Sequence, residues 1–488
     1  MKETIYRTVC PGCGIGCGLY IRESGDGSVS IDFLKSSQVN LGKLCRFGMK
    51  LPHYYSRPAS GRVEGMVSGT EEAVKAAALR LKNAGKIAML SAGNTTCEEH
   101  IAFTRLAETL GTVVHTGIPV YPELPSECHP HLEGMPLAEI EDAEKIVLFV
   151  DPYVQYPLLV RRLLVARRNG AHIISAGAKE LHFAHENRNL SPEQYAELEL
   201  DSNSVIIADV HPHTDSCHTK QLLNLALETG ARIHFIKPFV NSEGANRLSR
   251  GKAGMMGISH IMDEIEKGSI RTLFLLDSDP LELMPDSDRT ANALNKLDNL
   301  IVISSRDSPI TEIAHVVIVT EPLYRKRGTF INAEGKLQEN SGQDVAGIDA
   351  MSLLSRELGT EGFEYRQLHG YLHERMIETL ANENRKPEYE IMECETAPVH
   401  HNGACTLKYL FNPFMWVNQP DDNDFVLLNM NMVRSLKLKK GGMVRLDSEK
   451  GSMKMRYRVE SMPDGMILTA RKLPIATGTN TTVKAEGC

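Results

Sequence analysis

Cys10, Cys13, Cys17 and Cys45 stand in the arrangement C-x2-C-x3-C-x27-C, written CPGCGIGC and then LGKLC. Thiolates at such intervals are soft ligands suited to iron or zinc. Three of them on one tight loop grip three corners of an iron–sulfur cubane, and a fourth returning from a hairpin completes the set. Gly12, Gly14, Gly16 and Gly18 interleave with them. A loop wrapping a cluster needs positive φ angles and bare N–H groups aimed at sulfide, which glycine supplies. A structural zinc site is the competing reading. Four-cysteine zinc sites commonly pair two C-x2-C knuckles, whereas here the fourth cysteine is solitary, so the spacing favours a 4Fe-4S cluster.

Other reactive side chains are less sharply patterned. Cys128 and His129, in PSECHPH, offer a soft thiolate beside an imidazole able to take a proton near neutral pH, and an ordinary packing role stands beside that reading. Cys97 in GNTTCEEH reads as a buried cysteine at a capped helix start. Asp209, His211, His213, Asp215, Cys217 and His218 crowd together without a recognised ligand spacing and read as a polar loop. In GTFINAEGKLQ, Gly328 and Gly335 permit tight turns, while Thr329, Asn332, Glu334 and Gln338 carry polar groups suited to holding a ligand or bracing a loop.

These residues need a scaffold, and the apolar pattern indicates one. Leu19, Ile21, Val29, Ile31 and Phe33 alternate as two short strands between the third and fourth cysteines. Beyond Arg57 and Pro58, apolar β-branched runs at 86–91, 145–150, 171–176, 204–209, 231–236, 271–276, 299–305 and 314–319 read as strands buried on both faces of parallel sheets. Amphipathic stretches at 71–84 and 156–169 read as crossover helices. The expected fold class is α/β: a small N-terminal cluster domain at 1–57, two Rossmann-like doubly wound parallel sheets at 58–394, and a small C-terminal β-barrel at 395–488. Residues 379–405 read as an exposed linker. No G-x-G-x-x-G or G-x4-G-K-[ST] occurs, so ligands are expected at the carboxyl ends of the strands, in the crevice between sheets.

Composition narrows the class further. A formal charge of −8 over 488 residues argues against nucleic-acid partners. No window approaches the ~18 consecutive apolar residues of a membrane span, and Met1, Lys2 and Glu3 open no apolar signal core, so a cytoplasmic location is expected. Ten scattered cysteines do not form a disulfide framework, which fits a reducing compartment.

The cysteine spacing, followed by VNLGKLCRFG at 39–48, resembles the N-terminal iron–sulfur region of the molybdopterin oxidoreductases, the group containing formate dehydrogenases and the large iron–sulfur subunit of complex I. The resemblance continues in order. Residues 136–177 are similar to the family segment in which a strand ends at a pterin-binding loop, here at Asp151. LFLLDSDPLE at 273–282 resembles a second such strand end, at Asp279, and GANRLSRGKAGMMG at 244–257 resembles a Gly-Asn stretch of the family, at Asn246. Gly328, Thr329, Asn332, Glu334 and Gln338 match a family signature, and the last β-rich segment is similar to its dinucleotide-binding barrel. The resemblance implies a 4Fe-4S cluster, a molybdopterin guanine dinucleotide carrying molybdenum or tungsten, and a small-molecule substrate. It further implies Cys128 as metal ligand with His129 assisting proton transfer, formate and CO2 as the substrate pair, and electrons leaving through the cluster to a partner subunit. A formylmethanofuran dehydrogenase subunit, similar in CRFGMK, and a pterin-free relay subunit are the alternatives. The relay is favoured by Ser175-Ala176-Gly177 where members often have Asp-Pro-Arg, and a second departure, Phe47 where they often have Lys or Arg, bears on the electron path between cluster and pterin.

Overall fold

In the computed structural model, residues 3–177, 179–190, 192–383, 390–393, 405–414 and 425–487 are described. Period-two alternation at the N-terminus makes three antiparallel strands, Thr4–Val9, Gly18–Glu23 and Val29–Phe33. Leu19 and Ile21 point inward and are fully buried. The first three cysteines occupy the hairpin loop between the first two strands, closed by Cys10 N–H donating to the Cys17 carbonyl at 2.8 Å. The two strands expected between the third and fourth cysteines are present, with a third preceding Cys10.

All eight apolar runs of the middle region are strands, four in each of two sheets. One sheet orders Glu186–Asn187, His172–Ser175, Lys145–Leu148, Ser204–Asp209 and Arg232–Ile236 from edge to edge, all parallel. The other orders Met66–Val67, Arg62–Val63, Val316–Val319, Asn299–Ser304, Thr272–Leu276, Ile87–Leu90 and Val114–His115. It is parallel apart from the short hairpin Arg62–Val67 at one edge. The five-stranded sheet is inserted in sequence between strands of the seven-stranded one. Both faces of each sheet are apolar because helices cover them. In the seven-stranded sheet, Met89, Phe274, Ile301 and Ile318 pack to one side and Leu90, Leu273, Val302 and Val317 to the other.

Strand order reverses between Lys145–Leu148 and Ser204–Asp209 in one sheet, and between Thr272–Leu276 and Ile87–Leu90 in the other. These are the points where doubly wound sheets open a ligand crevice beyond their carboxyl ends. The C-terminal strands close a six-stranded barrel around Leu407, Val426, Leu428, Val444, Leu446 and Ile467.

Two expectations are corrected. The helix Tyr365–Glu383 runs into the expected linker, and residues 390–393 dock on the helix Ser216–Thr229, where Asn224 and the Met392 backbone exchange hydrogen bonds of 2.9 and 3.0 Å. Residues 384–389 and 394–404 lie outside the described residues. Cys217 is disulfide-bonded, which scattered cysteines did not foretell. No helix of the described residues is long and apolar enough to cross a membrane.

Candidate functional site

Cys10, Cys13, Cys17 and Cys45 line one small cavity, together with Leu44, Gly48, Pro157, Leu158 and Phe414. Backbone N–H groups of Gly12 and Gly48 approach the Cys10 and Cys45 sulfurs at 3.4 Å, the donors by which a protein tunes a cluster. Burial, with Cys45 second, pushes the Cys10 thiol up to about 12, and burial raises Cys13 and Cys17 well above the ordinary range. Such thiols give up their protons to a metal, so ordering this loop and loading it are coupled. Among the described residues, no three His, Cys, Asp or Glu side chains lie together as ligands of a single ion. Thiolates around one zinc at about 2.3 Å would be less than 4 Å apart. The four cysteines converge on one cavity, the arrangement a four-thiolate cluster requires.

Distant segments hold the loop. Asn332 is fully buried; its Nδ2 donates to the Ile15 carbonyl at 3.0 Å, and its Oδ1 accepts from the Glu334 and Lys336 backbones. Gln338 Nε2 donates to the Gly16 carbonyl at 2.9 Å, and Ala333 N–H to the Gly14 carbonyl at 2.7 Å. A Cβ at Gly16, where φ is +70°, would meet Gln338 Oε1 at 2.6 Å, and one at Gly14 would meet the Lys237 carbonyl at 2.1 Å. These glycines are required by close approach. The signature segment thus braces the cluster loop. Asn332→Ala is expected to cost about 1–3 kcal/mol in unsatisfied backbone groups. Its cluster should bleach several-fold faster in air, read as decay of visible absorbance.

The wall between the cluster and the inter-sheet crevice is apolar. Cys10 and Phe414 face the cluster cavity, while their neighbours Pro11, Asn412 and Pro413 line a second cavity of about 40 Å³. Phe414 stacks on Phe47, with centroids 3.9 Å apart and planes at 11°, and Arg46 lies 4.7 Å from the Phe47 centroid. The second cavity also takes Asn94, Asp279, Glu282 and Arg306 from the carboxyl ends of the seven-stranded sheet. A third, of about 280 Å³, takes His213 and Thr214 beyond the five-stranded sheet, Met284 and Asp286, and Thr477–Thr479 of the barrel. Loops at the carboxyl ends of both sheets and the barrel therefore line cavities where a doubly wound fold places its ligands. Sequence reasoning missed Phe414; its only signal was an aromatic in a loop.

The remaining expected residues are dispersed. Asp279 lines the crevice, capping the turn Pro280–Leu283 through Leu281 N–H at 2.7 Å and accepting from Ile310 N–H at 3.0 Å. Burial, then Glu282, raises its carboxyl to about 6. Asp151 accepts from Tyr153 N–H and pairs with Lys179 at 3.4 Å. Asn246 is buried and accepts from Thr116 Oγ1 at 2.7 Å. Thr329 donates from both N and Oγ1 to Glu98, beside Gly328, where a Cβ would strike Thr96. Glu334 accepts from Leu137 N–H at 3.1 Å and pairs with Lys336.

Cys128 and His129 are not brought to the cluster. Cys128 packs with Val120, Leu124, Val147, Ile174, Ile206 and Phe235, one face of the five-stranded sheet. The cluster cysteines pack with Ile146, Leu148, Ile173, Val205, Ile207 and Ile236, the opposite face. Cys128 Sγ contacts Met392 Sδ at 3.7 Å, and His129 Nε2 meets the Tyr121 carbonyl at 2.8 Å. Cys97 begins the helix Cys97–Thr109 behind the Thr96 cap and is fully buried.

The histidine group behaves as packed polar residues. His211 stacks on Phe411, and His213 contacts the Leu283 carbonyl at 2.7 Å. Burial lowers His213 and His218 to about 4. Asp209 accepts from Gln155 Nε2 at 2.7 Å and Tyr156 OH at 3.2 Å, and burial raises it to about 7. The folded chain then holds a proton that the unfolded chain releases above about 4. Stability contributed here falls as pH rises from about 4 to about 7 and is level above. Asp209→Asn should remove that slope, so the variant gains on the parent across this window in urea midpoints measured from pH 4 to 8.

Comparison with known proteins agrees with this architecture. A family profile described as molybdopterin oxidoreductase matches residues 71–348, and one described as molybdopterin oxidoreductase Fe4S4 domain matches residues 3–56. The NADPH-Fe(3+) oxidoreductase subunit alpha of Geobacter sulfurreducens is 37% identical over 78 residues, 16% of this chain and 9% of that protein. The F420-dependent formate dehydrogenase subunit alpha of Methanocaldococcus jannaschii is 27% identical over 199 residues, 36% of this chain and 28% of that protein. The matches thus span less than a third of either relative. The solved acetylene hydratase from Pelobacter acetylenicus superposes with a TM-score of 0.67 at 11% identity, covering 99% of this chain and 100% of that one, a likeness of fold.

Proposed function

Because the chain belongs to the molybdopterin oxidoreductase family, we propose that it is the electron-transferring subunit of a two-electron oxidoreductase, with formate and CO2 as the substrate pair and a partner subunit taking or supplying electrons. The cofactors of its two domains are a 4Fe-4S cluster and molybdopterin. The observation that carries the reading is the juxtaposition of three buried cysteines and a half-buried fourth with a thin wall and with cavities lined by carboxyl-end loops of both sheets.

Cys10, Cys13, Cys17 and Cys45 hold the cluster in this reading. Asn94, Arg306 and Asn412 near the cluster, and Thr214, Thr477 and Thr479 farther out, present polar groups to the pterin cofactor. That cofactor supplies a dithiolene-held metal able to exchange two electrons with substrate. The wall of Pro11, Pro413 and Phe414 excludes water from the short path between crevice and cluster, and low dielectric there tunes the cluster potential. Cys45 is the least buried of the four ligands and is flanked by exposed Leu41 and Met49, a suitable face for the partner. Cys128 and His129 have no part in this path.

Metal analysis of anaerobically purified protein, followed by formate oxidation with a viologen dye, tests the reading. The expected result is about four iron and one molybdenum or tungsten per chain, with formate-dependent dye reduction retained in Cys128→Ala. Iron without the heavier metal would assign a relay role instead. A heavier metal with no formate turnover would remove the substrate assignment alone.

A further inference from the structure

Away from the cluster and the crevice, a set of polar side chains converges where two helices meet. His369 and His373 lie one turn apart on the helix Tyr365–Glu383, which packs on the helix Cys97–Thr109. Their Nε2 atoms face each other at 3.1 Å, with the rings at 85°. His369 Nδ1 lies 2.8 Å from Oε1 of Glu98, whose side chain is 0% exposed. Glu98 is fixed from behind by Thr329 N–H at 2.9 Å, Thr329 Oγ1 at 3.0 Å and Tyr365 OH at 3.3 Å. With His369 Nδ1 as donor to this carboxylate, its Nε2 is the acceptor nitrogen and faces His373.

We propose that His369 and His373 form a binding site for a borderline divalent cation such as Zn²⁺, Ni²⁺ or Cu²⁺, with Glu98 as the outer carboxylate that orients His369. Nitrogens about 2.0–2.1 Å from an ion, at angles between square and tetrahedral, are about 2.9–3.4 Å apart. The 3.1 Å separation falls inside that range. Imidazole selects these cations over Mg²⁺ and Ca²⁺, which take oxygen ligands. A histidine that donates its second N–H to a buried carboxylate is held in the tautomer that binds metal, and that carboxylate makes it a stronger ligand. His373 is exposed, so water completes the coordination sphere.

Anaerobically prepared, cluster-loaded protein is titrated with Zn²⁺ alone against a chromogenic chelator. The parent should take up one equivalent that His373→Ala and His369→Ala each lose. Glu98→Gln keeps both ligands and a similar shape, and should weaken uptake by about 10- to 100-fold. Iron content and circular dichroism confirm that each variant is folded. His373→Ala lies on the surface and carries the test if a buried substitution fails to fold. Undiminished uptake in His373→Ala, no uptake by the parent, or parent-like affinity in a folded Glu98→Gln overturns the proposal.

Discussion

Cys45→Ser is expected to strip the protein of its reducible centre while leaving the seven-stranded sheet and the barrel folded. Serine oxygen is a hard, weakly acidic donor and a poor substitute for a thiolate on iron. Cys45 stands alone on its loop, so no neighbouring cysteine can take its place. The interiors of the seven-stranded sheet and the barrel contain none of the four cysteines, so their packing does not depend on the cluster. The expected measurements are loss of most iron and of the broad visible absorption, no reducible signal in electron paramagnetic resonance, and unchanged far-ultraviolet circular dichroism. Cys97→Ser is the control and should keep its iron. Were Cys45→Ser to retain full iron and its redox signal, Cys45 would not be a ligand. A colourless parent loaded with zinc would remove the redox reading altogether.

Lys237→Ala should destabilise the chain by about 3 kcal/mol, near the lower end of the cost of breaking a buried ion pair. Lys237 and Glu243 are almost wholly enclosed, and the Lys237 Nζ also donates to the Leu132 carbonyl at 2.6 Å. Removing the ammonium leaves a carboxylate in the interior, although Arg247 still faces it at 2.7 Å and limits the penalty. The same segment props the cluster loop, since Gly14 N–H donates to the Pro238 carbonyl at 3.1 Å. Urea unfolding should shift to a lower midpoint, and iron occupancy should fall with it. The double change Lys237→Met with Glu243→Gln removes both charges and should recover much of the loss. Methionine keeps the volume of the lysine stem, so failure of the double variant to recover would show that the loss comes from the unsatisfied Leu132 carbonyl rather than from the stranded charge.

What the sequence determined by itself was local. Four cysteines separated by glycines specify their ligand chemistry without reference to the rest of the chain. The eight apolar β-branched runs needed only their own pattern to be read as buried strands, and each is one. Which runs share a sheet was settled by parallel pairing across long connections, and it nested one sheet inside the other. The face on which Cys128 packs followed from strand alternation combined with the path of the preceding loop, which no short pattern encodes. Asn332 and Gln338 reach the cluster loop from more than 300 residues away, and Phe414 completes its wall from the C-terminal segment. A buried hydrogen bond or ring contact of this kind depends on where two distant segments cross. That crossing is chosen by the whole core, so it became visible only with the chain folded.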